Sequence, residues 1–147
     1  MIYDNKKRLA GRLVSSLLLL GYMANNRVFL NDKGIIEVLV LGDQNAASVE
    51  LMGRELSVML TQQRAGGKPA LILDDLLQIG AVDAGGRKLV VDLAKRADYD
   101  RLAMVGKGVI MRLGTNLMLR AVGQSYRARY FDDRGKALAW LNEKLHS

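Results

Sequence analysis

The chain has 147 residues, half of them apolar and a quarter charged, which suits one globular domain with a continuous core and excludes a disordered chain. Aromatic residues make up only 5%, so the core is expected to be aliphatic. The formal charge is +7; residues 1–22 carry +3 of it through Lys6, Lys7, Arg8 and Arg12 against Asp4, and the mild remainder argues against a nucleic-acid binder. There is no cysteine, which removes disulfides and thiolate metal sites and fits a reducing, cytoplasmic setting. The single histidine, His146, is next to last, so neither a histidine triad nor a multi-histidine metal site can be built within one chain.

In chain order, a basic stretch leads into the apolar run Leu13-Val-Ser-Ser-Leu-Leu-Leu-Leu20. That run is shorter than the roughly 20 apolar residues a membrane span needs. A bulky Tyr22 also stands where an export-signal cleavage site requires a small side chain. Three readings stand side by side: an amphipathic helix packing on the domain or a membrane, an inefficient export signal, and an extension upstream of a start at Met23. Residues 1–22 are therefore set apart as a dispensable extension, and 23–147 as the domain. Peripheral membrane association through residues 6–23 goes with the first reading.

Arg27–Leu30 and Ile35–Leu41 read as a hairpin, with turn chemistry in Asn31-Asp32-Lys33-Gly34. A helix over about 46–64 follows, with Val49, Met52, Leu56, Met59 and Leu60 on one face. Ala70–Leu73 is a short buried strand, with Asp74 and Asp75 in a turn at its end. Asp83 caps a helix over about 84–97, and Leu102–Val105 is another strand. A helix over about 109–123 places Ile110, Leu113, Leu117, Met118 and Ala121 on one side, Tyr126–Phe131 forms the last strand, and Asp132 or Asp133 caps a final helix. Strands separated by helices predict an α/β domain with a mostly parallel sheet of about five strands and four helices, plus the N-terminal helical extension.

Three landmarks carry a resemblance. They are Leu71-Ile72-Leu73-Asp74-Asp75, Asp83-Ala84-Gly85-Gly86, and Tyr130-Phe131-Asp132-Asp133 followed by Lys136-Ala137-Leu138-Ala139-Trp140-Leu141. In this order the chain from about Arg27 to Leu145 resembles the STAS superfamily, particularly its SpoIIAA-like branch. The resemblance implies the SpoIIAA-like (STAS) fold and a regulatory role through protein contact. It also implies a serine or threonine, phosphorylated in anti-sigma-factor antagonists, in the loop where this chain has Ala84 and Gly85. Neither bears an oxygen to modify, and the serine and threonine nearest in sequence are Ser57 and Thr61. A relationship to SEC14-like (CRAL-TRIO) lipid-binding domains makes a carrier of a lipid or small apolar anion the alternative function.

The same elements offer candidate sites. Asp83, Ala84, Gly85, Gly86, Arg87 and Lys88 form either a plain helix cap or a partner-docking loop whose cations meet an acidic surface. Lys107 lies between Gly106 and Gly108 ahead of a helix, in a turn that lacks the full P-loop spacing. Arg112 and Arg120 share a side of that helix, and Arg127 and Arg129 share a face of the last strand as predicted. If those faces meet they make an anion-binding groove; if not, they are solvated surfaces. Met104, Met111 and Met118 are expected to fill the core. Neighbouring Asp74 and Asp75 point to opposite faces of a strand and cannot serve one metal or one reacting atom. The expectation is thus a non-enzymatic module without cofactor or metal, acting on a protein partner, with a homodimer also open.

Overall fold

The computed structural model describes residues 26–147, so the N-terminal extension and the expected domain start at residue 23 lie outside the described residues. Five strands form one sheet in sequence order: β1 (Arg27–Leu30), β2 (Ile36–Gln44), β3 (Leu71–Val82), β4 (Arg101–Val105) and β5 (Ala128–Phe131). β1 and β2 are antiparallel and every later pair is parallel. Four helices fill the connections and the C-terminus: α1 (Ala46–Ala65), α2 (Ala84–Arg96), α3 (Val109–Ala121) and α4 (Arg134–Leu145). This is the α/β architecture expected from the sequence. No helix among the described residues is long and apolar enough to cross a membrane.

Local chemistry sets the element ends. The Asn31 side chain accepts from the backbone N–H groups of Lys33 and Ile35, both at 3.0 Å, and Gly34 takes the left-handed φ of +81° that closes the hairpin. Asn45 and Ser48 form a reciprocal capping box at the start of α1. Asp83 caps α2 through Gly86 N–H at 2.7 Å, and Asp133 caps α4 through Lys136 N–H at 2.8 Å.

The two faces of the sheet carry separate cores. Leu60 of α1 and Leu119 of α3 pack with Ile36, Val38, Ile72 and Met104 on one face. Ala137 and Leu141 of α4 pack with Leu71, Leu73, Ala103 and Val105 on the other. α1 presents the predicted stripe, with Val49 and Leu60 buried and Met52, Leu56 and Met59 partly buried against them.

Three expectations change. First, β3 does not stop at Leu73 but runs to Val82, so Asp74 and Asp75 lie within the strand. Between Leu39 and Leu41 of β2, β3 advances from Asp75 to Gln78, and between Gly42 and Gln44 it advances from Ile79 to Val82. Each bulge inserts one extra residue and breaks the period-2 pattern that marks a strand in sequence. Side chains take up the freed backbone donors: Asp75 accepts from Leu77 N–H at 3.0 Å and Asp43 from Ala81 N–H at 2.8 Å. At the second bulge, a Cβ on Gly80 would run into the Asp43 carboxylate and lie 2.9 Å from the backbone of residues 42 and 43. Gly80→Ala is therefore expected to cost about 1–3 kcal/mol, as overpacking does, read as a lower urea midpoint at unchanged slope.

Second, β5 begins at Ala128, because Arg127 and Ala128 both donate backbone N–H bonds to the Gln124 carbonyl and hold residues 124–127 in a turn. Third, α3 does not bury the side predicted for it. Leu119 is buried and Met111, Met118 and Val122 are partly covered, whereas Ile110, Leu113 and Leu117 face solvent. The helix is apolar on two sides, and the sheet covers only one of them.

Candidate functional site

The Asp83 turn joins β3 to α2. A Cβ on Gly86 would meet Val82 Cγ1 at 3.0 Å and Asp83 Oδ1 at 3.2 Å, so the residue is glycine by close packing. Arg87 donates to the Val82 carbonyl at 2.8 Å, while Ala84, Gly85 and Lys88 are exposed. The turn is thus a well-made helix cap with an open rim that offers no large apolar side chain.

The five cations singled out from the sequence are not brought to one groove. Arg127 folds inward: its guanidinium lies 4.0 Å above the Tyr99 ring and donates to the carbonyls of Tyr99 at 2.7 Å and Ala97 at 3.3 Å and to the Gln124 side chain at 2.5 Å. Arg129 is on the α4 side of the sheet, over the Trp140 ring at 5.1 Å. Arg112 pairs with Asp132 at 2.8 Å. Lys107 and Arg120 are exposed at opposite ends of α3. Arg127 left the predicted strand face because the strand starts one residue after it.

What α3 shows to solvent is apolar. Val109, Ile110, Leu113 and Leu117 are 71, 88, 64 and 69% exposed. They recur at one-turn spacing and make a single stripe along the helix. Lys107, Arg112 and Arg120 are the charged residues next to or within this helix, and α3 contains no acidic residue. Large apolar side chains gathered on a surface mark an interaction site more often than isolated ones do.

Beneath the helices lies an apolar pocket of about 110 Å³, bounded by β2, β3, β4, α1, α2 and α3. Met52, Leu56, Leu93, Met104 and Met118 supply much of its wall. A wider cleft of about 380 Å³ between α1 and α2 adjoins it and shares Gly53, Leu56, Leu93 and Ala97. Asp74 points into the pocket from β3, between Val38 of β2 and Met104 of β4 in the strand register. The residue keeps part of its surface open, but Oδ1 is sealed from solvent and has no hydrogen-bond partner among the described residues. Burial, with a smaller push from the Asp75 charge, raises its pKa from 3.8 to about 7. No arginine or lysine lines the pocket itself; Arg64 and Arg96 line the outer cleft, where Arg64 pairs with Asp98 and Asp100.

Asp75 has the opposite surroundings. On the α4 face, Arg134 bridges it at 3.5 Å to Glu37, which Arg134 contacts at 2.7 Å. Burial pushes Glu37 up, but hydrogen bonds from Arg134 and Asn31 outweigh it and hold its carboxyl below the usual range. The two adjacent aspartates therefore point to opposite faces, as the strand period requires, and share no site.

A mostly parallel five-stranded sheet with three helices on one face and one on the other, and a capped turn opening the second helix, defines a small α/β module. The SpoIIAA-like family model matches residues 35–142, and the chain belongs to that family. The fold is similar to that of an uncharacterized protein of the DUF3478 family from Shewanella loihica PV-4, at 15% identity and TM-score 0.60, covering 79% of this chain and 91% of that one. It is also similar to the unphosphorylated form of the anti-sigma factor antagonist SpoIIAA, at 14% identity and TM-score 0.53 over 80% of this chain and 97% of that one. An anti-sigma factor antagonist from Mycobacterium paratuberculosis gives 16% identity and TM-score 0.54 over 80 and 92%. At these identities the likeness is one of fold. No curated protein matches the sequence.

Proposed function

We propose that the chain is a non-enzymatic binding module, acting in the cytoplasm, that holds a partner protein on the exposed face of α3. The observation that carries this reading is the stripe of Val109, Ile110, Leu113 and Leu117, all at least 64% exposed. Covering such side chains contributes about 1.5–3 kcal/mol each, enough for a specific complex after the cost of association. Lys107 and Arg120, which make no ion pair among the described residues, select the partner's chemistry: an apolar ridge or amphipathic helix with acidic flanks. An in-plane membrane helix usually presents a strongly cationic polar face, and α3 carries only two arginines. Two of the similar structures are named as antagonists of anti-sigma factors, and that name supports a protein partner here as well.

The Asp83 turn serves as a weaker, charged second contact through Arg87 and Lys88. α2 and α3 both start at the carboxyl ends of parallel strands, so this turn and Lys107 lie toward the same end of the sheet. Because Ala84 and Gly85 bear no hydroxyl, the partner is held without a phosphate switch at that turn.

The test is affinity for a partner captured from the native host, identified and purified. Ile110→Glu/Leu117→Glu is expected to weaken binding at least 100-fold without lowering Tm, since both side chains are already in water. Arg87→Glu/Lys88→Glu is expected to weaken it about 3- to 10-fold. Unchanged affinity in the α3 variant contradicts the reading. So does loss, in that variant, of vesicle binding or of self-association instead of partner binding.

A further inference from the structure

We propose that the pocket beneath α1, α2 and α3 is a binding site for a small hydrophobic amine, with Asp74 receiving its ammonium group. The site goes beyond the docking surface, because Met118 and Leu119 line it from the covered side of α3, away from the exposed stripe.

Asp74 has no structural task that explains a carboxylate. Its chain neighbour Asp75 accepts the Leu77 N–H freed by the bulge and pairs with Arg134. Asp74 does neither: its cross-strand neighbours are Val38 and Met104, and its Oδ1 is unpartnered. An unpaired buried polar atom is destabilising, the more so when charged, so a complementary donor entering the pocket recovers that cost.

The donor does not come from the pocket itself. Tyr99 is the other titratable lining residue, and its hydroxyl lies 3.2 Å from the Gln124 side chain. Every remaining lining residue is apolar, so a trapped water finds too few of the two to four polar partners it needs. Arg64, Arg96 and Asp98 line only the outer cleft, and Arg64 is engaged by Asp98 and Asp100.

Size and polarity then define the ligand. An apolar cavity of about 150 Å³ accepts benzene; this pocket of about 110 Å³ is smaller but adjoins the outer cleft, so it suits a short branched chain, or a small ring that reaches into the cleft. Three methionines in the wall allow it to adjust to shape. A single carboxylate with no balancing cation favours an ammonium, through a charge-assisted hydrogen bond, and rejects carboxylates and phosphates. Leu93, shared by the pocket and the outer cleft, stands at the junction through which a ligand would pass.

The experiment is a titration of the full chain with benzylammonium, followed through the methyl signals of Met52, Met104 and Met118. Toluene and phenylacetate serve as neutral and anionic counterparts. The expected result is saturable shifts of these methyls by benzylammonium, with binding at least 10-fold weaker for toluene and none for phenylacetate. Asp74→Asn is expected to weaken benzylammonium binding at least 10-fold. A second measurement needs no variant: lowering the pH from 8 to 5 protonates Asp74 while the ligand stays cationic, so the affinity of the unaltered chain falls at least 10-fold. Unmoved methyl signals overturn the proposal. Equal binding of toluene or phenylacetate, or an affinity indifferent to both Asp74→Asn and pH, also overturns it.

Discussion

Replacing Asp74 with asparagine is expected to abolish most of the pH dependence of folding stability between pH 5 and 8. In the folded chain this carboxyl titrates near 7, whereas its ordinary value is 3.8. Between those values the folded state keeps a proton that the unfolded state has released. Stability contributed by the neutral form is therefore present at low pH and lost as pH rises toward 7, after which it levels off. At about 1.36 kcal/mol per pKa unit, the loss is at most roughly 4 kcal/mol, and partial relaxation around the carboxylate reduces it. Glu37 and Asp100 are shifted the other way, below their ordinary values, so they remain ionised across this window and leave it to Asp74. Urea unfolding at several pH values should show the unaltered chain weakening toward pH 8 and the Asn variant nearly flat. Asp74→Leu, which removes the polar group altogether, should be the most stable of the three at pH 8. A flat profile for the unaltered chain contradicts a carboxylate whose Oδ1 is sealed and unpartnered.

The second large effect is expected at Arg127. Its guanidinium stacks on Tyr99 and ties the Gln124 side chain to the carbonyls of Ala97 and Tyr99, joining the turn before β5 to the segment before β4. Truncation removes the donor to the carbonyls of Ala97 and Tyr99 and the cation–π contact, each loss costing about 1 kcal/mol or more, while Gln124 keeps its bond from the Tyr99 hydroxyl. Arg127→Ala should therefore destabilise by about 2–4 kcal/mol. Arg129→Ala should cost about 0.5–1 kcal/mol, because Arg129 is exposed and Arg101 lies over the same Trp140 ring at 4.8 Å. Equal small effects at both positions would contradict the locking role given to Arg127.

The features that could be read from the sequence are those set by local chemistry. The Asn31–Gly34 turn, the Asp83 cap and the α1 stripe all depend on residues within a few positions of one another, and each forms where its residue types predict. The order of strands and helices followed from these punctuation marks. Features that depend on what lies across the fold were not legible. The extension of β3 is hidden because two bulges disrupt its alternation and side chains from Asp43 and Asp75 supply the missing bonds. The exposed side of α3 reads in the sequence as its core side because both sides carry Ile, Leu, Val or Met, and periodicity cannot say which one the sheet covers.

The two candidate sites show the same division. That Asp74 and Asp75 point apart follows from the strand period alone. That one meets Arg134 and the other only Val38, Met104 and a methionine-lined pocket depends on neighbouring strands and helices. The nearest sequence signal is an aspartate in register with a buried Ile72, two residues before it on the same face. The basic groove fails to assemble for a related reason: a strand that starts one residue late sends Arg127 into the turn.

The docking face of α3 is tested most directly by site-specific photo-crosslinking in the native host, with the probe placed in turn at Ile110, Leu117 and Val58. Val58 is a lone apolar residue on α1, 57% exposed, and serves as the control surface. The same single protein should be trapped from positions 110 and 117 and not from 58, with an acidic, amphipathic segment carrying the crosslink. Adducts only to lipid, only to a second copy of the chain, or equally from all three positions would contradict the assignment of this face to a partner protein.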